Sequence, residues 1–390
     1  MQRCTFAAWE LPVPPNLLDY EPMIRLGVFC GIFFVMATWE IFAPRRAQTI
    51  GRLQRWPSNL SIVVLNTVLV RFALPTAAVG VALAADAHSW GLFHFLATPH
   101  WLAVLVSLLL LDLAVYLQHV LFHAVPTLWR LHRMHHADLE FDVTTGARFH
   151  PLEILLSMLI KFSAISALGA PPIAVLVFEV VLNATAMFNH GNVYLPPNLD
   201  RVLRWFVVTP DMHRVHHSVV PRETNSNYGF NLSWWDRLLG TYRAVPAAGH
   251  QHMTIGIELF REPSALRLDR MLLQPFRDLD GSWIEAASLA KQLAQEDAPA
   301  ILDVRGKAEF DGELGHLPGA RNIPLAELTG RLAELFDWKQ REVALVCLTQ
   351  IRSAKALPIL QAAGFNDVRV LRGGVQQWIR EGLPVTHTPS

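Results

Sequence analysis

The pattern H-x-x-H-H occurs twice in the chain, as His132, His135 and His136 and again as His213, His216 and His217. A pair at H-x-x-x-H spacing, His119 and His123, lies just upstream. On a helix, positions i, i+3 and i+4 share one face, so each triplet is expected to offer three imidazoles to a single point. The chain has 17 histidines in 390 residues. Such a composition does not scatter two triplets and a pair within about a hundred residues by chance. Imidazole suits Fe, Zn, Cu and Ni, and this many convergent rings can hold more than one ion. The pattern reads as a metal site.

Composition says where such a site lies. Hydrophobic residues make up 52% of the chain and charged residues 17%, against about 25% charged in ordinary soluble domains. The apolar excess precedes residue 190. Ile24–Phe42, Ser61–Ala85 (interrupted by Arg71) and Trp101–Val120 (carrying Asp112) each approach or exceed the ~20 residues that cross a ~30 Å hydrocarbon layer. Leu152–Leu168 and Ile173–Phe188 flank the helix-breaking turn Gly169-Ala170-Pro171-Pro172. They read as two further spans or, because Lys161 sits inside the first, as a buried hairpin.

Met1–Asp19 lacks the basic-then-apolar order of a cleavable signal and is interrupted by Pro12, Pro14 and Pro15, so the first span reads as a retained anchor. Arg45, Arg46, Arg52 and Arg55 follow that span, against Arg3 and Arg25 before it, which places its C-terminal end in the cytoplasm. The loop Asp86–His100 has no Lys or Arg, as an outer loop should. Spans three and five then also end inside, and their ends carry His119, His123 and His190. All clustered histidines fall on the cytoplasmic face of a bacterial-type inner membrane. Within span three, Asp112, Tyr116, His119 and His123 form one helical stripe. A carboxylate there either ties helices together or steadies a ligating histidine by accepting its free ring N–H, with His119 or a neighbouring helix as its expected contact.

The segment from His119 to Arg243 resembles the fatty acid hydroxylase/sterol desaturase superfamily of membrane di-iron enzymes. The resemblance runs through Q-H-V-L-F-H, L-H-R-M-H-H, R-F-H-P-L-E (Arg148–Glu153), F-N-H-G-N (Phe188–Asn192), T-P-D-M-H-R-V-H-H (Thr209–His217) and N-Y-G-F-N-L-S-W-W-D-R-L-L-G-T-Y (Asn227–Tyr242). It implies an all-α polytopic membrane domain holding two irons through histidine alone. The implied ligands are His119, His123, His132, His135, His136, His190, His213, His216 and His217. Some relatives place a second histidine shortly after the His190 position; here G-N-V-Y-L-P follows, leaving the set one short or a water in its place. His150, beside Pro151, is expected to be structural or to stand behind a ligand. The implied reaction is O2-dependent attack on a lipid C–H bond, with hydroxylation, desaturation and ether cleavage all open. An external electron donor of ferredoxin or cytochrome type is needed, since no haem H-P-G-G, flavin fingerprint or iron–sulfur cysteine set is present. Hydrolysis on zinc is the alternative metal chemistry. It wants a catalytic Glu within the motif, and Glu140 and Glu153 lie only nearby.

After Tyr242 the composition changes, with a connector at about 261–280. From about Gly281, apolar runs at Ala300–Val304, Glu342–Leu348 and Asp367–Leu371 alternate with a helical stretch at Ser353–Ala363 that Gly364 ends. This is a small α/β domain with a parallel sheet. It resembles the rhodanese domain through I-L-D-V-R (Ile301–Arg305), G-H-L-P-G-A-R-N-I-P (Gly315–Pro324), C-L-T-Q-I-R-S-A (Cys347–Ala354) and V-L-R-G-G-V-Q-Q-W (Val370–Trp378). The expected boundaries are 1–260 for the membrane domain and 281–388 for the rhodanese-like domain. Cys347 closes a strand before a loop and helix whose amides favour a thiolate and hold a persulfide, and Arg352 adds positive charge. The resemblance thus implies a sulfurtransferase or persulfide-binding module with Cys347 and Arg352 as its working residues. Gln350 stands where many relatives have Gly, and strain is expected if the loop needs φ > 0 there. An alternative makes this module the principal function and the membrane part its anchor. Cys4, Cys30 and Cys347 form no disulfide framework. The absence of a basic run, G-x-G-x-x-G or Walker loop leaves nucleic acid and nucleotides without support as partners.

Overall fold

The computed structural model describes residues 18–74, 76–277, 282–295 and 297–387. Arg3, Cys4 and the prolines at 12, 14 and 15, on which the reading of the N-terminus partly rests, lie outside the described residues. The chain divides into two compact units, Met1–Phe276 and Arg277–Ser390.

The first unit is helical, and five of its segments are long and apolar enough to cross a membrane. Its elements include α1 (Glu21–Phe42), α2 (Arg52–Ala73), α3 (Ala78–Ala87), α4 (His100–Ala124), α5 (Pro126–His136), α6 (Pro151–Leu168), α7 (Pro172–Asn189), α8 (Pro197–Leu203), α9 (Pro210–His216) and α10 (Trp234–Leu238). The apolar run Ser61–Ala85 is not one helix but the end of α2 and most of α3. Proline at position 75 lacks the N–H an uninterrupted helix needs there.

α6 and α7 are 18 residues each, about 27 Å at 1.5 Å per residue, and both are long and apolar enough to cross a membrane. Lys161 resolves its cost by pairing with Glu179 of α7 at 2.8 Å, and Arg25 of α1 meets the same carboxylate at 2.8 Å. Charges inside apolar helices persist when paired toward the bundle interior. Gly169, at φ 66°, ends α6 in the left-handed conformation, and a Cβ there would lie 2.2 Å from the Trp90 carbonyl.

Helix starts here are set by proline at the first helical position, where no N–H is missed. Pro126, Pro151, Pro172 and Pro210 open α5, α6, α7 and α9 in this way. Thr209 caps α9 by accepting from Met212 N at 3.4 Å, and His150 caps α6 by accepting from Leu152 N at 3.2 Å. Residues 261–276, expected as a connector, instead pack against α5. Arg133 donates to the Gln274 carbonyl at 2.5 Å and Arg130 to Pro275 at 2.8 Å, while Met271 joins Ile62 and Met134 in one cluster.

Behind the second half of α5 lies a buried charge network. Arg55 of α2 holds Asp138 through two bonds, at 2.8 and 2.7 Å, and Asp142 at 2.5 Å. Arg148 approaches the same Asp138 at 3.7 Å. Asn59, Thr144 and Thr145 complete the shell. Asp138 is held far below the usual carboxylate range: burial opposes ionisation, but Arg55 and Arg148 outweigh it. This network fixes the chain two residues past His136.

The second unit is a five-stranded parallel sheet in the order β1-β5-β4-β2-β3. Its strands are β1 (Trp283–Ile284), β2 (Ala300–Asp303), β3 (Arg321–Asn322), β4 (Val343–Val346) and β5 (Val368–Leu371). Buried runs such as V-A-L-V in β4 are apolar on both faces, as parallel strands covered on both sides must be. β1 and β3, two residues each, are too short to show a pattern. Ile351–Ala362 and Gly374–Arg380 are the helices α11 and α12.

Replacing Asp138 with Ala leaves buried Arg148 without its carboxylate and Arg55 with Asp142 alone. Loss of one partner from a buried ion pair costs about 3–5 kcal/mol, so D138A should unfold far below the parent protein in a thermal melt in detergent. Unchanged melting would show that the network carries no strain on loss.

Candidate metal centre

All nine predicted histidines converge, in two groups whose ring nitrogens lie within 4.8 Å of one another. One group is His119, His123, His132, His136 and His216; the other is His135, His190, His213 and His217. The expectation that each triplet serves one point is therefore corrected. In each triplet the i, i+4 pair enters one group and the i+3 residue the other. Adjacent rotamers on one helix turn thus straddle two positions. His136 and His217, stacked at 4.5 Å, are members of different groups.

Tertiary hydrogen bonds fix the ring tautomers. His119 Nδ1 meets the Tyr228 carbonyl, His190 Nδ1 the Ala186 carbonyl and His216 Nδ1 the Ser226 carbonyl, each at 2.7 Å. His132 Nδ1 meets Glu153 Oε1 at 2.6 Å. A carbonyl or carboxylate accepts only, so the proton sits on Nδ1 and Nε2 carries a lone pair. Yet His119 Nε2 and His132 Nε2 face each other at 3.1 Å, with both protons already committed elsewhere. Two lone pairs at that separation repel. A cation between them removes the conflict, and ~3 Å is the spacing of neighbouring nitrogens on an ion bonded at ~2.1 Å. His190 Nε2 adds contacts of 3.1 Å to His135 Nε2 and 3.0 Å to His213 Nε2. His123 Nε2, His216 Nε2 and both nitrogens of His136 and His217 are buried without a hydrogen-bond partner. The donor set fits metal ions and fits little else.

Burial and neighbouring imidazoles hold His135, His136, His213, His216 and His217 well below the usual histidine range, and burial lowers His190 to about 4. Metal-binding imidazole must be neutral, and these are. Aromatic rings close the surroundings: Phe149 stacks on His135 at 4.4 Å, Phe141 lies 5.0 Å from His217 and Phe230 lies 5.2 Å from His119.

Asp112 contacts no histidine. It accepts from Trp235 Nε1 at 2.8 Å and Leu232 N at 3.2 Å, tying mid-α4 to α10 and the segment before it. His150 stays outside both groups as the α6 cap, with Nε2 near the Leu272 carbonyl at 3.2 Å. Glu140 accepts from Thr49 and Ile50, and Glu153 is bound to His132, so neither stands free as a hydrolytic base. Motif reading missed the carbonyls of Ala186, Ser226 and Tyr228, since a carbonyl has no residue signature.

In the second unit Cys347 follows β4 and is buried. The amides of Leu348, Thr349, Ile351, Arg352 and Ser353 donate to no carbonyl in the described structure. Val375 N bonds the Cys347 carbonyl at 2.9 Å, an approach that needs Gly374: at φ 58°, its missing Cβ would sit 2.3 Å from that oxygen. Gln350 does not show the expected strain; its φ of 168° is extended, and its side chain accepts from Gly373 N at 2.7 Å. Arg352 is not a free charge. Glu309 holds it through two bonds, at 2.5 and 2.7 Å. A cavity of about 240 Å³ beside the loop is lined by Arg305, Glu309, Gly312, Glu313, Leu314 and Leu348.

Residues 104–241 match the family described as fatty acid hydroxylase, and residues 285–381 the rhodanese-like domain. An ornithine lipid hydroxylase from Rhizobium tropici is 34% identical over 38% of this chain and 44% of its own length. An alkylglycerol monooxygenase from Xenopus tropicalis is 29% identical over 42% of this chain and 36% of its own. The chain thus spans less than half the length of these relatives. A sulfurtransferase from Allochromatium vinosum is 33% identical over 26% of this chain and 92% of its own length.

The depressed histidines set a pH dependence. An unfolded histidine titrates near ~6.5, while His190 stays neutral down to about 4. Between those values the unfolded chain binds more protons, so stability falls as pH drops through that window and is flat above it. Thermal melts from pH 8 to 4 should show this, with metal released over the same range. A melting temperature that rises on acidification would contradict the assignment.

Proposed function

We propose that this chain, whose residues 104–241 match the fatty acid hydroxylase family and residues 285–381 the rhodanese-like domain, is a membrane non-haem di-iron oxygenase. It hydroxylates a lipid C–H bond with O2 and bears a sulfurtransferase or persulfide-binding module. The observation that carries the reading is the opposed pair of Nε2 lone pairs at His119 and His132. Histidine-only donors leave a bound pair more positive than carboxylate-rich di-iron sites, where Glu supplies charge. Two irons there would supply the redox chemistry for O2 activation. Balanced, the reaction takes RH, O2, two electrons and two protons to ROH and water, the electrons coming from an external ferredoxin- or cytochrome-type donor.

The chain's own residues have definite tasks in this reading. The carbonyls of Ala186, Ser226 and Tyr228 and the Glu153 carboxylate hold four rings in the tautomer that offers Nε2. Phe141, Phe149 and Phe230 keep bulk water from the rings. The relatives' names favour oxygenation of lipids over desaturation, and a site at one end of an apolar bundle suits a substrate arriving from the bilayer. The cytoplasmic orientation follows from the arginine bias, with Arg45 bound to Asp211 at 2.9 Å and Arg55 to Asp138 at the histidine end of the bundle. The reading that makes the membrane part a degenerate anchor is disfavoured by the two complete histidine triplets, all of whose rings join the cluster.

Purified protein should carry about two irons per chain, one for each histidine group. His135→Ala and His216→Ala belong to different groups, so each should lower iron to about one. Metal analysis showing zinc and no iron in active protein would sink the di-iron reading.

For the tail, the sulfane sulfur of thiosulfate would bond to Cys347 Sγ as its bond to sulfite breaks, sulfite leaving with the electron pair. Cys347→Ser should abolish sulfur loading and leave iron unchanged. Glu309→Gln should release Arg352 and lower the KM for thiosulfate by up to about fivefold, the worth of an exposed ion pair near 1 kcal/mol. No loading from any persulfide donor would leave a binding module in place of a transferase.

A further inference from the structure

Outside the five apolar segments, two short helices present an apolar surface that no described residue covers. α8 and the turn after it expose Leu199, Val202, Trp205 and Phe206, the last two at 57% each. α10 and the residue after it expose Trp234, Leu238 at 73% and Leu239. A surface of this size on a chain marks an interaction site. The two pieces are one structure: Val207 pairs with Leu232, Val208 N donates to the Asn231 carbonyl at 3.0 Å and Trp234 Nε1 donates to the Trp205 carbonyl at 2.9 Å.

The depth of this structure can be read from its bonds to the long helices. Leu232 N and Trp235 Nε1 both donate to Asp112, seven residues before His119 on α4. At 1.5 Å per residue that is about 10 Å from the histidine end toward the middle of the helix. On α7, Thr185 hydrogen-bonds Asn231, and Asn189 donates to the Phe230 carbonyl at 3.0 Å, so the same segment runs inward along a second helix. The exposed apolar side chains therefore stand at the level of the apolar flank of the bundle.

The charges agree. Asp200 and Asp236 are buried, the first against Arg204 and the second on the amides of Tyr228 and Gly229. Arg201 is exposed, and Arg237 lies over the rings of Trp205 and Tyr242 at 4.1 and 3.9 Å. Apolar and aromatic side chains with arginine and no exposed carboxylate are what a helix lying in an anionic lipid leaflet carries.

We propose that α8, α10 and the residues directly after each, Trp205, Phe206 and Leu239, insert into the acyl–headgroup boundary of the leaflet on the histidine side, as a membrane-dipping element continuous with the spanning helices. The occupant is the phospholipid bilayer itself. The same segment carries Phe230 against the rings of His119 and His213, at 5.2 and 6.0 Å, so the inserted surface adjoins the metal centre directly. The proposal rests on the long helices crossing a membrane, and the test separates the two ideas.

Nitroxide labels would be placed singly at Val202→Cys, Leu238→Cys, Leu105→Cys and Arg222→Cys in full-length protein carrying Cys4→Ser, Cys30→Ser and Cys347→Ser. The protein would sit in phosphatidylglycerol–phosphatidylcholine nanodiscs. Leu105 lies exposed on α4 and reports on the span, while exposed Arg222 serves as the aqueous reference. Collision with O2 should exceed collision with a water-soluble nickel chelate at 202 and 238, as at 105, and the order should reverse at 222. Nickel-dominated collision at 202 and 238 with a lipid signature at 105 overturns the inserted element alone; an aqueous signature at 105 as well overturns the membrane reading beneath it. A second measurement needs no cysteine background. Acyl-brominated lipids should quench tryptophan emission less in Trp205→Phe/Trp234→Phe than in the parent protein, and an unchanged quenched fraction would overturn the proposal.

Discussion

Nine imidazoles packed into one interior are the constraint on which the first unit depends. Buried polar atoms without partners cost free energy, and several of these rings keep unbonded nitrogens. Protonation offers no relief, because burial and the neighbouring rings disfavour charge. A bound cation would satisfy those nitrogens. The surrounding structure is what makes such a site possible, by holding the rings together before they have anything to bind.

That holding is done mostly by charges and carbonyls far from any ring's lone pair. Arg55, Asp138, Asp142 and Arg148 fasten α2 to the segment leaving His136. Such a network is poor evidence of net stability, since desolvation consumes much of the attraction. Its contribution is definition: a misplaced segment would leave a buried charge unpaired. Asp211 does similar service near the second triplet, binding Arg45 from across the fold and Arg214 beside it. Backbone carbonyls then set ring orientation one at a time.

The second unit builds its site by the opposite means. Cys347 lies between β4 and α11, and the loop is pinned by the close approach of Gly374 to the Cys347 carbonyl and by the Val375 N–H bonded to that oxygen. The Glu309–Arg352 pair adds a local contest for charge. In the proposed reading, an anionic sulfur donor would have to compete with that carboxylate for the same guanidinium.

Much of this was legible in the chain itself. Spacing picked out eight of the nine histidines of the cluster, because helical periodicity is local and i, i+4 neighbours must share a face; His190 stands alone in sequence and was marked only by the resemblance of F-N-H-G-N. The β4–Cys347 loop and its helix were legible for the same reason. What spacing could not show is partition: that the i+3 residue of each triplet crosses to the other group depends on how α5 and α9 face each other, a fact of packing. Tertiary structure alone also decided that Asp112 serves Trp235 rather than a histidine, that residues 261–276 are packed rather than linking, and that Gln350 is unstrained. Each turns on contacts between residues distant in sequence, where local propensity and periodicity carry no information.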